Sequence, residues 1–359
     1  MPHTVSVLEE IRLVQFRCFG QLYFRPASRD NLIVGLNAQG KTSLLESICV
    51  LLRLHSPRTS MLAEAIQHNQ QEFSLDGICL GSHLQLRRNI THRSLYLNSE
   101  KQNSTRQYLS VARIAWFANS DGELISGKAE CRRRYLDFIG AQIDWQYLFH
   151  LRIYDRAWRY RNFLLKENRS RKEIRAFDKS LVVAGEAIAS SRRYIVNKLA
   201  PLFLQAVGNI AGKEEAVNIH YKPGFQSNFH EELLASEEEE QRFGYTVVGI
   251  HRDELYVSLA EGAAAIFASE GQKRTLALAL KLAQARLLAS CTGYMPILLI
   301  DDVFGELDRE RCERLLSQLP VEAQKLITTT SLGRIIGDRE DISIFRLVER
   351  QLIKGHSCT

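Results

Sequence analysis

The stretch from Gly35 to Ser43 reads GLNAQGKTS and carries Gly-x-x-x-x-Gly-Lys-Thr, the spacing of a phosphate-binding loop. Gly35 and Gly40 let the backbone curl, so that the N–H groups of Leu36, Asn37, Ala38 and Gln39 can ring a phosphate. Lys41 sets a point charge at the β and γ phosphates of a nucleoside triphosphate. The Thr42 hydroxyl is a ligand for Mg²⁺, and Ser43 continues into the helix whose dipole favours the anion. A second stretch, ILLID from Ile297 to Asp301, is apolar and ends in a carboxylate followed directly by Asp302. Asp301 is placed to hold Mg²⁺ through water and Asp302 to polarise an attacking water. Two adjacent carboxylates at a strand end repel one another, so a cation is expected between them and the phosphates. The third stretch, Ser269-Glu270-Gly271-Gln272, opens a helix with a cap and then a glycine two residues later, which costs helix stability. A glycine there fits a close approach of something to the main chain.

Elements able to position these residues follow from periodicity. Val7–Phe24 reads as two strands turning near Gly20, Asn31–Gly35 as a short buried strand, and Lys41–Leu54 as a helix with an apolar face. Four short strands are expected up to and including Phe117. From Arg132 the pattern turns helical, with breaks expected near Asn168–Ser170 and near Gly185, and with Pro201 its single proline. Aromatic residues interleave with arginines there: Trp145, Tyr147, Tyr154, Trp158, Tyr160 and Phe163. On a helix such residues are more often core than a base-stacking platform, and the core reading is expected. The run Glu237–Glu240 is expected as an exposed loop. YTVVGI and ELYVSL read as strands around His251-Arg252-Asp253, followed by the Ser269 helix, the Asp301 strand, a helix from Arg309 to Leu319 and two closing strands. The fold class expected is α/β: one sheet domain made from both chain ends, with a helical domain inserted. The expected bounds are 1–130, 131–244 and 245–359.

Composition narrows the function classes. Of 359 residues, 45% are hydrophobic and 25% charged, which is ordinary for a globular chain with real cores. No apolar run reaches the length of a membrane span, and charges interrupt the first residues where a secretory leader would be apolar. Seven scattered cysteines without a CxxC pair argue against a zinc site or disulfide scaffold, and the cytoplasm is the expected compartment. The net charge is +6, but residues 131–200 hold 16 Lys or Arg against 7 Asp or Glu, so this segment alone carries the basicity. That is the footprint of a polyanion-binding face.

The order of phosphate loop, Ser-x-Gly-Gln helix start and LLIDD resembles an ABC-type ATPase. The strings VQFRCFGQLYF, GLNAQGKTSLLESI, RRRYLDFIG, RNFLLKEN, GIHRDEL, ASEGQKRTLALALKLA and PILLIDDVFGELD resemble, in order and over nearly the whole chain, the RecF family of bacterial recombination and repair proteins. The heads of SMC-like proteins are similar in architecture. The resemblance implies an ABC-type head, built from both chain ends, with an inserted basic lobe. It implies that ATP and Mg²⁺ bind at Gly35–Ser43 with Asp301, and that Asp302 and Lys41 serve a weak hydrolysis. It further implies that Ser269, Gly271 and Gln272 touch the γ phosphate held by a second copy. ATP would then close a homodimer, and hydrolysis would act as a timer. Gly305-Glu306-Leu307-Asp308 resembles the D-loop, which would set Asp308 against the opposite phosphate loop. Arg17 matches an arginine near the base or phosphates, with a packing role equally open.

By the same resemblance the partners are DNA (single-stranded, gapped or junction), RecO and RecR, and the setting is recombination, replication restart and the SOS response, assisting RecA loading. Arg132, Arg133, Arg134, Arg156, Arg159 and Arg161 are the expected DNA contacts. The sequence departs from the family where Glu270 follows Ser269, where Pro is missing before His251 and near Asn119, and where Thr329 or Thr330 stands at the usual switch histidine. The Q-loop equivalent is sought within Phe117–Asp121. The competing class is an ABC-type ATPase subunit that powers a membrane transporter; it would have a shorter insert and a switch histidine. A monomeric phosphate-loop kinase would have no use for Ser269-Glu270-Gly271-Gln272.

Overall fold

The computed structural model describes residues 3–212, 216–331 and 342–355. By contact the chain divides into two compact units, one of residues 1–121, 209–212 and 281–359, the other of 122–208 and 213–280. The expected third segment began at 245, whereas residues 245–280 pack with the helical unit.

The first unit holds a six-stranded sheet in the order Gln351–Lys354, Ser343–Val348, Asp30–Val34, Lys325–Thr329, Ile297–Asp301, Ile114–Ala118. All neighbours are parallel except the edge hairpin at Gln351–Lys354. The inner strands Ile297–Asp301 and Lys325–Thr329 are buried along nearly their whole length because both faces are covered. Parallel pairing brings the carboxyl ends of Asp30–Val34 and Ile297–Asp301 to one edge, with Lys325–Thr329 between them. That edge is where ligands sit in such sheets. A second, antiparallel sheet runs Phe19–Phe24, Leu8–Phe16, Glu72–Cys79, Ser82–Asn89, Arg93–Leu97, Glu100–Lys101. The helix Lys41–Arg53 packs against strands of both sheets and is buried nearly all round, which explains its apolar second half, ICVLL.

The second unit is mainly helical: Ala129–Ile143, Trp145–Lys166 and the helix Asp178–Ala211 up to residue 208 are its long helices, beside a small sheet of Asn218–Lys222, Glu254–Leu259 and Gly262–Ala263. Its core gathers Tyr147, Tyr154, Leu181, Ile188, Phe229 and Leu233.

Here four local expectations are corrected. No break occurs at Gly185: the helix runs through it, and a Cβ there would come within 2.5 Å of the Phe229 ring. The glycine makes room for an aromatic rather than ending a helix. Glu237–Glu240 belongs to a helix, Glu237–Phe243, and Glu240 is fully buried against the Arg161 guanidinium at 2.7 Å. YTVVGI is irregular, because Thr246 spends its N–H and hydroxyl on Asn162 Oδ1 at 2.8 and 2.7 Å instead of on a neighbouring strand. Of the aromatics, Tyr147 and Tyr154 are core, whereas Trp145, Tyr160 and Phe163 are exposed.

Candidate nucleotide site and basic lobe

The loop leaving Asp30–Val34 turns back through two left-handed residues, Ala38 (φ 65°) and Gly40 (φ 106°), before the helix begins at Lys41. Gly40 has two reasons to be glycine. Its φ is poor for any L side chain, and a Cβ would meet Cys18 Sγ and the Phe19 ring, each at 2.7 Å. Leu36, Asn37 and Ala38 are exposed at the crest, Gln39 and Thr42 half-buried, and Ser43 buried. Lys41 Nζ donates to the carbonyls of Gly35 (2.6 Å) and Leu36 (3.0 Å), folded over the arc of its own loop. Burial lowers its pKa, and the charges of Asp302 and Asp301 oppose that shift.

Across the sheet edge, Thr42 Oγ1 donates to Asp301 Oδ1 at 3.0 Å. The same carboxylate oxygen accepts from Thr328 Oγ1 at 2.8 Å, and Thr328 Oγ1 also receives the N–H of Asp302 at 3.0 Å. Burial raises the pKa of Asp301, the hydroxyls of Thr328 and Thr42 offsetting part of this. Asp302 itself is left-handed (φ 52°), a conformation that costs a non-glycine residue roughly 1 kcal/mol. Its carbonyl accepts from Asn119 Nδ2 at 3.2 Å. Asp121, buried, takes the Ala118 N–H at 2.7 Å and pairs with Lys281 at 3.0 Å. A hydroxyl and a carboxylate already in contact are hard oxygen donors that suit Mg²⁺, which keeps waters and phosphate oxygens for its other positions. Among the described residues no group of three or more His, Cys, Asp or Glu side chains forms a metal cage.

Sequence reasoning missed Thr328. The switch position is expected at Thr329 or Thr330, yet Thr329 Oγ1 bonds to Ser331 O, and Thr328 is the hydroxyl that touches the acid pair. The parallel pairing of Asp301 with Thr328 is the signal that would have found it.

In the second unit Ser269 is exposed and closes a reciprocal cap: its N–H donates to Gln272 Oε1 at 2.9 Å, and its hydroxyl accepts from Gln272 N at 3.3 Å. Gln272 thus caps in this arrangement, and Gly271 lies in the first turn. Glu270 turns to Lys273 at 2.9 Å, which lowers its pKa through that hydrogen bond. Asp308 caps the helix Arg309–Gln318 by accepting from Arg311 N at 2.8 Å.

A family model described as an AAA domain matches residues 10–180. The DNA replication and repair protein RecF of Lactococcus lactis subsp. cremoris (strain MG1363) is 32% identical over 354 residues, covering 97% of this chain and 99% of that protein. The chain belongs to the RecF family. The same-named protein of Microcystis aeruginosa is 32% identical over 351 residues, covering 91% of this chain and 94% of its own length. Among solved structures, the recombination mediator protein RecF-ATP in the RecFOR pathway superposes with a TM-score of 0.89 at 28% identity, covering 99% of each chain. The Smc head domain from Pyrococcus furiosus, at TM-score 0.56 and 13% identity, shares the fold. RecF relatives matched over nearly their whole length do not favour the transporter reading.

The RecF-like blocks can now be placed. Arg17 grips both carboxylate oxygens of the buried Glu46, at 3.0 and 2.6 Å, and donates to Glu64 O at 2.8 Å. The Glu46 pair ties it to the helix that starts at Lys41. Of the six arginines expected at DNA, Arg161 is a correction: it is fully buried, bonded to Asp178 at 2.9 Å, Glu240 at 2.7 Å and Thr246 at 3.0 Å. Arg132 is largely buried on Glu254, and Arg133 donates to Asp253 O at 3.0 Å. Arg134 is exposed and pairs with Glu130, and Arg159 is exposed at 3.8 Å from Asp155. Arg156 is exposed, with no ion pair among the described residues.

Proposed function

We propose that this chain is an ATP-switched DNA-binding protein of replication and recombinational repair. ATP would sit on the loop Gly35–Ser43, with Lys41 released from the Gly35 and Leu36 carbonyls to the β and γ phosphates. Thr42 and Asp301 would hold Mg²⁺, which supplies charge neutralisation at the phosphates, and Asp302 would orient the attacking water. The observation that carries the reading is the pairing, in one chain, of a phosphate loop with an outward-facing Ser269 helix start whose Glu270 is held aside by Lys273. Two copies facing head to tail about a twofold axis would each offer Ser269 and Gly271 to the γ phosphate of the other, with Asp308 near the opposite loop. ATP would therefore favour the dimer, ADP the monomer, and slow turnover would reopen it.

The DNA would be gripped mainly through phosphates by the basic lobe, so that affinity falls steeply with salt and depends little on sequence. Gapped or junction DNA, RecO and RecR are the partners this reading implies, in the cytoplasm. No described helix is long and apolar enough to cross a membrane. Sedimentation with ATP, then ADP, is the test: a dimer with ATP alone is expected. Ser269→Arg should keep one ATP per chain and remain monomeric; a persistent ATP-induced dimer in that variant sinks the shared-phosphate scheme.

A further inference from the structure

The helix Trp145–Lys166 turns two very different faces outward and inward. Tyr147, Tyr154, Ala157, Arg161 and Leu165 are buried, at helical spacing. The opposite face carries Trp145, Phe149, Arg156, Arg159, Tyr160 and Phe163, which lie within about 100° of helix circumference. The four aromatic rings on it are 45%, 52%, 51% and 59% exposed. A solvated helix face ordinarily bears Lys and Glu, and an aromatic stripe of this size marks a contact surface. Trp145 and Phe149 lie with ring centroids 6.3 Å apart, and Tyr160 stacks on Phe177 at 5.7 Å and 5°, so two ring clusters flank a central arginine section. Arg152 adds to that section, and Asp155, which faces Arg159, is the one acidic side chain between Trp145 and Lys166.

We infer that this face binds unpaired nucleic acid, with bases stacking on the ring clusters at both ends and the phosphate backbone crossing the arginines between them. The inference rests on the DNA-binding reading above and assigns it a site and a substrate form. Charge complementarity selects the occupant. Rings and arginines also occur in protein contacts, but this stripe sets Arg152, Arg156 and Arg159 against the one acid Asp155, a net positive charge that a phosphate backbone neutralises. Duplex DNA shows a protein its phosphates and groove edges, which use arginines but leave exposed rings without a partner. A single strand uses both, because every base has a face to stack and every link a phosphate to neutralise. From Trp145 to Phe163 the stripe is about 27 Å long, which suits the roughly 4–16 nucleotides that single-strand sites occupy.

The test is anisotropy titration of the full chain, with ATP, against labelled oligo(dT) and against a duplex of equal length. Phe149→Ala and Phe163→Ala should each weaken oligo(dT) binding about tenfold while changing duplex affinity less than about twofold. Phe149→Tyr should restore strand binding, which also shows that the loss comes from the missing ring and not from the fold. Equal losses on strand and duplex, or no loss on the strand, would overturn the inference. So would variants that keep oligo(dT) affinity but lose self-association or capture of a purified partner protein, since the face would then be a protein interface. A wild-type chain that binds no DNA of any form removes the parent reading as well. Wild-type binding to gapped duplex with unaffected alanine variants removes this inference alone.

Discussion

Charged groups at the phosphate loop and charged groups inside the helical unit have opposite surroundings. Lys41 rests on two neutral carbonyls of a loop that turns through two left-handed residues, Ala38 and Gly40. Carbonyls are modest partners for an ammonium, and a triphosphate would outcompete them. Inside the helical unit, Arg161 faces Asp178 and Glu240, and Arg192 faces Asp137, Asp253 and the Ile250 carbonyl. Every one of those bonds is charge-assisted or buried, and the network leaves the guanidinium nothing to offer a ligand. A cation held loosely on a strained turn is available for chemistry; one locked between two acids is architecture. The high arginine count of residues 131–200 therefore overstates the charge that faces solvent.

The sharpest way to break this contrast is Arg161→Met. It should cost about 3–5 kcal/mol of unfolding free energy in urea titration, because Asp178 and Glu240 lose their shared countercharge in a buried site. A loss under about 1 kcal/mol would mean the network is replaceable.

Next in size is a pH effect at His251, whose Nδ1 meets Tyr154 Oη at 2.8 Å and whose Nε2 meets Thr246 O at 2.9 Å. Burial pushes its pKa down to about 4 from the ordinary 6.5, so it stays neutral when folded. Between those values the unfolded chain takes up a proton that the folded chain refuses, and stability falls as pH falls. The full difference is about 3 kcal/mol. Urea midpoints measured across that window should drop for the wild type and flatten for His251→Gln; equal slopes would assign the drop to other groups.

Lys41→Met sharpens the other side of the contrast. It should weaken binding of a fluorescent ATP analogue about 100-fold or more and leave the urea midpoint nearly unchanged, since only carbonyl contacts are lost. Destabilisation comparable to that of Arg161→Met would show that Lys41 is part of the scaffold.

The phosphate loop, the acid pair and the Ser269 cap were legible because each depends on residues adjacent in sequence, where spacing is itself the geometry. The parallel core was legible for a similar reason: NLIV and ILLI are apolar runs that only a doubly covered strand explains. What escaped depends on pairs remote in sequence. Gly185 reads as a helix break until Phe229 arrives beside it. The acidic run 237–240 reads as solvated until Arg161 claims Glu240. The exposed rings of Trp145–Lys166 share their helical spacing with the buried ones, so periodicity finds two faces without saying which is inside.

The Thr328 hydroxyl has a consequence for how the acid pair can be set. It steadies Asp301 through its carboxylate and Asp302 through its main chain, from a neighbouring strand that contributes no acid of its own. The aim of both carboxylates is therefore inherited from next door: a small slide of Lys325–Thr329 would re-point them together, as one lever turns two valves.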